Sequence, residues 1–195
     1  MNTQQVFLPG SYPWKTISSL KEGANANQLS PLPGFLNKNS SSLVDDGEVA
    51  TDTFAHWVEK GVVAGPFIAP PLELFRSNTM FAVHQKDKTR IIMNLATPEG
   101  SSYNENIRPF AARMSSAKLF SFSLLESGKN AIMSKHDWVD AYKNIPVRTK
   151  DLRLQGFSWL GRFFVETSLP FGSGNSAEEF DNLGELVLGI ACSIS

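Results

Sequence analysis

The stretch Asp137-Trp138-Val139-Asp140-Ala141-Tyr142 follows a short β-like run, Ala131 to His136, and leads into the break Ile145-Pro146-Val147. It predicts a strand that delivers a carboxylate at its end, with a second carboxylate one helical turn later. Such a pair can hold Mg²⁺ against a triphosphate, because that hard cation prefers one or two carboxylates plus phosphate oxygens. The same pair also reads as a helix N-cap with a neighbouring acid, which satisfies free N–H groups and suits the helix dipole. Tyr142, on the first turn after the strand, reads either as core or as a substrate contact. On these residues alone both alternatives stay open.

Working outward, Thr79 to His84 and Arg90 to Leu95 are β-rich and separated by Gln85-Lys86-Asp87-Lys88-Thr89, which predicts a hairpin with a charged tip. Lys86, Lys88 and Arg90 on that tip either grip a phosphate or form a solvated turn. A second hairpin is predicted from Leu154 to Trp159 and Arg162 to Glu166, turning at Leu160-Gly161. The loop Leu169-Pro170-Phe171-Gly172-Ser173-Gly174 and a helix from about Ser176 follow it. Ser115 or Ser116 opens another helix. Upstream, Thr51 or Asp52 caps a helix whose Phe54, Trp57 and Val58 share a stripe and whose end takes Gly61 in the left-handed conformation. The order of hairpin, helix, strand, helix, hairpin and helix is an α+β pattern without the alternation of a doubly wound sheet.

Residues 1–50 are rich in Ser, Asn, Gly and Pro and read as an extended or disordered segment before a folded unit over 51–195. The 195 residues are 42% hydrophobic, enough for a real core. No apolar stretch approaches the roughly 20 residues of a spanning helix, and the N-terminus lacks a signal-peptide pattern, so an intracellular, cytoplasmic or nuclear protein without a membrane role is expected. The single cysteine, Cys192, excludes an internal disulfide and reads as packed. The net charge of −1 hides an asymmetry: Phe81 to Val165 holds 13 Lys or Arg against 7 Asp or Glu, net +6. A basic middle suits a surface that meets phosphates, and it also suits a merely solvated face.

Taken jointly, Asp137 to Tyr142, Ile145-Pro146-Val147, Leu154-Gln155-Gly156-Phe157 and Leu169-Pro170-Phe171-Gly172 resemble the reverse transcriptase family, most closely the polymerase of DIRS-like tyrosine-recombinase retroelements. Lys86 to Leu95 is similar to the family's fingers hairpin, and Ser102-Tyr103-Asn104 stands near its Ser-Val-Asn-like segment. The resemblance covers roughly Thr51 to Leu188. It implies the fingers–palm portion of a right-hand polymerase, with an incomplete palm sheet.

The resemblance further implies roles. Asp137 would be the catalytic first-strand metal ligand, with the main-chain carbonyl of Trp138 completing its coordination. Asp140 and Ala141 would offer main-chain N–H groups to the triphosphate, and Tyr142 would be the steric gate against a 2′-hydroxyl. Lys86 or Lys88 and Arg90 would neutralise the outer phosphates, while Phe171 and Gly172 line the nucleotide pocket. The implied cofactor is Mg²⁺, weakly held here. The implied partners are an RNA template with a DNA primer, deoxynucleoside triphosphates, and either a second copy of the chain or a C-terminal polymerase portion. The family needs two further aspartates on a later hairpin, and no Asp-Asp occurs after Phe180. The expectation is therefore a truncated fragment of an RNA-templated DNA polymerase that is inactive as an isolated chain. The alternative is a domesticated nucleic-acid-binding or protein-interaction module.

Overall fold

The computed structural model of the chain describes residues 12–86, 88–108, 117–130, 132 and 137–194. Its elements are α1 (Tyr12–Glu22), β1 (Phe35–Leu36), α2 (Ser41–Asp45), α3 (Gly47–Glu59), β2 (Val63–Phe67), β3 (Arg76–Ser77), β4 (Thr79–Gln85), β5 (Lys88–Asn94), α4 (Ala117–Ser127), β6 (Gly156–Trp159), β7 (Arg162–Glu166) and α5 (Ser176–Ile194). A five-stranded mixed sheet runs in the order β1-β3-β6-β7-β2, and β4 and β5 form a separate two-stranded ribbon. The class is α+β with a partial mixed sheet, as the element order predicts.

Both hairpins form. In the first, β4 and β5 pair from Thr79↔Asn94 to Gln85↔Lys88, so the strands extend one or two residues further towards the tip than their composition suggests. Met80, Ala82, Ile91 and Met93 alternate onto the core face. The second turns where Trp159 pairs with Arg162, at Leu160-Gly161. Its first strand starts at Gly156 rather than Leu154, because the Thr149–Leu154 segment winds as a 3-10 helix. That helix is tied by the Asp151 carboxylate, which accepts the Ala26 N–H at 3.1 Å.

Helix α3 lays Phe54 between Phe157 and Phe164 of the sheet, with ring centroids 4.7 and 6.0 Å away. It ends at Glu59 with Lys60 as C-cap, and Gly61 takes the predicted left-handed conformation at φ 72°. Its start departs from expectation. The helix opens at Gly47, directly after α2, and the Thr51 hydroxyl that was to cap it donates instead to the Gly47 carbonyl at 2.7 Å, one turn back inside the helix.

The described residues before 51 also differ from an extended or disordered tail. Residues 12–22 and 41–50 are helical, and Ala24, Ala26, Leu32, Leu43 and Ala50 are buried. Between them, residues 23–32 form a strap, left-handed at Asn27 (φ 54°) and held largely by main-chain bonds. Ala24 bridges Val147 in parallel, and Gln28 bridges Ile107. Two cores result: a larger one around Phe54, Met80, Tyr103, Phe157 and Phe164, and a smaller one of Ala24, Ile145, Val147, Leu169 and Leu183.

The expected strand Ala131 to His136 and the expected caps Ser115 and Ser116 lie outside the described residues, as does the side chain of Cys192.

Candidate functional site

The segment following Asp137 is held by contacts that leave its aromatic rings at the surface. Asp140 adopts a left-handed conformation (φ 51°, ψ 42°), and its main-chain carbonyl accepts the Lys143 N–H at 2.7 Å, closing the 3-10 turn Ala141–Asn144. The Asn144 amide then donates to the carbonyls of Val139, Asp140 and Ala141 at 3.0 to 3.3 Å. Asp140 makes no side-chain cap. Its carboxylate instead meets Lys60 Nζ at 3.0 Å across the surface.

Lys143 turns the other way, inward. Its ammonium pairs with the Glu166 carboxylate and lies 4.4 Å from the centroid of Trp57. Glu166 is 2% exposed, and burial pushes its carboxyl above the ordinary carboxylate range against the opposing pull of Lys143. Lys143 therefore fastens the turn to β7, and its neighbour Tyr142 is aimed by that anchor. Neither Lys143 nor Glu166 is conspicuous in sequence. The one local sign is an acid closing the apolar run Phe163-Phe164-Val165.

Tyr142 packs on Phe171 at 5.0 Å and on Phe180 at 5.8 Å, and Phe180 in turn meets Trp138 edge-on at 5.6 Å. Trp138 and Phe171 remain 38% and 45% exposed. The loop bearing Phe171 is latched by Asn104, whose amide donates to the Gly172 carbonyl at 2.8 Å and accepts the Gly174 N–H at 3.0 Å. Gly172 has φ 108°, and a Cβ there would stand 2.5 Å from the Met93 carbonyl, so only glycine fits without a shift.

Met93 is on β5, which brings the base of the β4–β5 hairpin against this loop. Lys88 and Arg90 project from the same strand on the face opposite Met93, both exposed, and Lys86 is exposed at the turn. Five residues of strand put Lys88 about 17 Å from Met93. Tyr142, Phe171, Gly172, Asp140, Ala141 and Trp138 are thus one neighbourhood, and the three cations form a separate arm rooted beside it. The latch by Asn104 and the ring of Phe180 are parts that motif reading did not assign to the site.

Asp137 is exposed and is followed directly by Trp138. Among the described residues no three His, Cys, Asp or Glu side chains converge as metal ligands. Asp140 is engaged by Lys60, so the described carboxylates do not fit a resident Mg²⁺ centre. Among the same residues no helix is long and apolar enough to cross a membrane.

Neither a protein-family model nor any curated protein matches the sequence. Solved structures do match. The foamy viral protease-reverse transcriptase dRH in complex with double-stranded DNA superposes with a TM-score of 0.56 at 17% identity, over 84% of this chain and 26% of that one. The prototype foamy virus protease-reverse transcriptase CSH mutant gives 0.55 at 18% identity, over 85% and 20%. The foamy viral enzyme in complex with an RNA/DNA hybrid gives 0.55 at 17%, also over 85% and 20%. The fold is reverse-transcriptase-like and matches a fragment of that polymerase fold. This chain spans no more than 26% of the length of these three proteins, and at such identities the likeness concerns the fold alone.

Proposed function

We propose that the chain is a reverse-transcriptase-like fragment related to the polymerases of DIRS-like tyrosine-recombinase retroelements, acting inside the cell, which engages nucleic acid without synthesising DNA on its own. The observation that carries this reading is the seating of Tyr142, Phe171 and Gly172 together at the root of a cationic hairpin. An aromatic pair whose Phe171 ring is 45% exposed gives a base or sugar a face to lie on, and the hairpin cations neutralise phosphates. The foamy viral neighbours were solved with double-stranded DNA and with an RNA/DNA hybrid, which makes those duplexes the first ligands to try.

In this reading Tyr142 is the sugar gate, Phe171 and Gly172 line the nucleotide, and Asp140 and Ala141 present main-chain N–H groups to its phosphates. Lys86, Lys88 and Arg90 track the outer phosphates. Asp137 and the Trp138 carbonyl are the chain's contribution to a metal centre that the residues described here do not complete. Mg²⁺ affinity for the chain alone is therefore weak, and calorimetry returning sub-micromolar binding without nucleotide would contradict that assignment.

Fluorescence anisotropy of a labelled RNA/DNA hybrid at two ionic strengths tests the function. The expected result is salt-sensitive, sequence-tolerant binding that weakens when Lys86, Lys88 and Arg90 are replaced together by Ala. Absence of binding at low salt would replace this reading with the protein-interaction module.

A further inference from the structure

On the side of the molecule crossed by the 23–32 strap lies an open cleft of about 530 Å³. That is within the range of pockets that hold a nucleotide-sized ligand. The strap forms one wall, where Arg108 N–H donates to the Asn27 carbonyl at 3.1 Å and Leu29 N–H to the Asn106 carbonyl at 2.8 Å. Opposite stand Lys150, Asp151 and Arg153 of the 3-10 helix. Three cations, Arg108, Lys150 and Arg153, thus face one carboxylate, and that carboxylate, Asp151, is buried and bonded to the Ala26 N–H.

Two features favour an external anion here. Lys60, Lys143 and Arg148 each have a carboxylate partner, whereas among the described residues neither Arg108 nor Lys150 makes an ion pair. Arg153 donates to the strap carbonyl of Leu32 at 3.0 Å and, behind the wall, the fully buried Arg76 donates to the next carbonyl, Pro33, at 2.8 Å. Burial, and after it the neighbouring Arg153 charge, brings the Arg76 guanidinium down to about 10. The amides of Asn25, Asn27 and Gln28 supply neutral donors and acceptors beside the cations.

We infer that this cleft binds a single-stranded stretch of nucleic acid, its phosphates on Arg108, Lys150 and Arg153 and its base edges on the strap amides. The inference rests on the nucleic-acid reading above but names a second surface, apart from the Tyr142–Phe171 neighbourhood and the hairpin arm. A phosphodiester suits it better than a compact anion, because the cations are spread along an open cleft rather than converging on one point.

The test is binding of a labelled single-stranded oligonucleotide across a salt series by wild type, by Arg108→Glu with Lys150→Glu, and by the hairpin triple Lys86→Ala, Lys88→Ala, Arg90→Ala. Each lost phosphate contact lowers the log–log salt slope by roughly 0.7 for a single strand, so the cleft pair should lower it by about 1.4. Side-chain amide resonances of Asn25, Asn27 and Gln28 should shift with the oligonucleotide. Should the charge reversals unfold the protein, Arg108→Gln with Lys150→Gln tests the same loss of charge. A slope unchanged in the cleft pair but lowered in the hairpin triple would overturn this inference and leave the proposed function standing. No binding of the single strand by wild type would overturn this inference, and the proposed function would fall with it only if the RNA/DNA hybrid also went unbound. Amide shifts with inorganic phosphate but none with the oligonucleotide would make the cleft a free-anion site and overturn the nucleic-acid assignment.

Discussion

Two aromatic clusters sit on opposite terms with water. Phe54, Phe157 and Phe164 are at most 7% exposed, their rings 4.7 to 6.0 Å apart between α3 and the sheet. Trp138, Tyr142, Phe171 and Phe180 stack as closely, at 5.0 to 5.8 Å, yet Trp138 and Phe171 leave more than a third of their surface in solvent. Burying apolar area stabilises a fold by roughly 25 cal/mol per Å². The first cluster collects that benefit in full and the second leaves much of it unused. The sealed cluster is accounted for by folding alone. The open one is the surface proposed above to face a ligand.

Substitution should separate the two most sharply. Phe157→Ala empties the centre of the sealed cluster and should cost about 3–5 kcal/mol in chemical denaturation, while Phe171→Ala, at the rim of the open one, should cost under about 1 kcal/mol. Equal losses would erase the distinction.

Lys143 stands between the clusters, its ammonium against Trp57 and its chain neighbour Tyr142 in the open group. Lys143→Met leaves Glu166 buried without its counter-charge and should destabilise the protein by about 3–5 kcal/mol at neutral pH. The sign of the pH effect follows from Glu166, whose carboxyl is raised in the fold by burial and opposed by Lys143. A raised carboxyl favours the fold below its unfolded value and loses that contribution as pH climbs through the folded one. The Lys143→Met deficit should therefore shrink on acidification, as Glu166 takes up a proton, and denaturation at a series of pH values reads this directly. A deficit independent of pH would mean that Glu166 does not carry the penalty.

Tyr103 sharpens the same contrast on the alkaline side. Its hydroxyl is buried in the sealed core and pushed up to about 12, with desolvation the largest cause. The fold's advantage from a neutral Tyr103 is complete below about 10 and is lost as pH rises through about 12. Stability should fall across that interval, and Tyr103→Phe should flatten the fall. The smallest backbone effect belongs to Gly172→Ala, where a new methyl would crowd the Met93 carbonyl at 2.5 Å. It should cost about 1–3 kcal/mol and displace Phe171, which a change in Trp138 fluorescence on nucleotide addition would report.

Much of this was legible in the chain. The β4–β5 ribbon shows in its alternation, α3 in the spacing of Phe54, Trp57 and Val58, and the neighbourhood of Tyr142, Phe171 and Gly172 in motifs standing in order. The strap was not legible, because small residues such as Ala24 and Ala26 carry little apolar signal and their hold is main-chain bonding to residues more than a hundred positions away. The start of α3 was hidden by Thr51, whose hydroxyl serves a cap or a back-bond equally well by sequence. Lys143 with Glu166, and Asn104 with the Gly172 loop, are pairings across the fold that no local pattern encodes. The carboxylates illustrate the converse. Asp137 and Asp140 look like a site in sequence, but in space Asp140 is committed to Lys60.

Whether the open cluster is the nucleic-acid surface is tested most directly by hydrogen exchange with and without an RNA/DNA hybrid. Exchange should slow in residues 137–144 and 169–174 and at the end of β5, with residues 157 and 164 unchanged. Exchange that is identical with and without the hybrid, or protection confined to segments away from Tyr142 and Phe171, would contradict it.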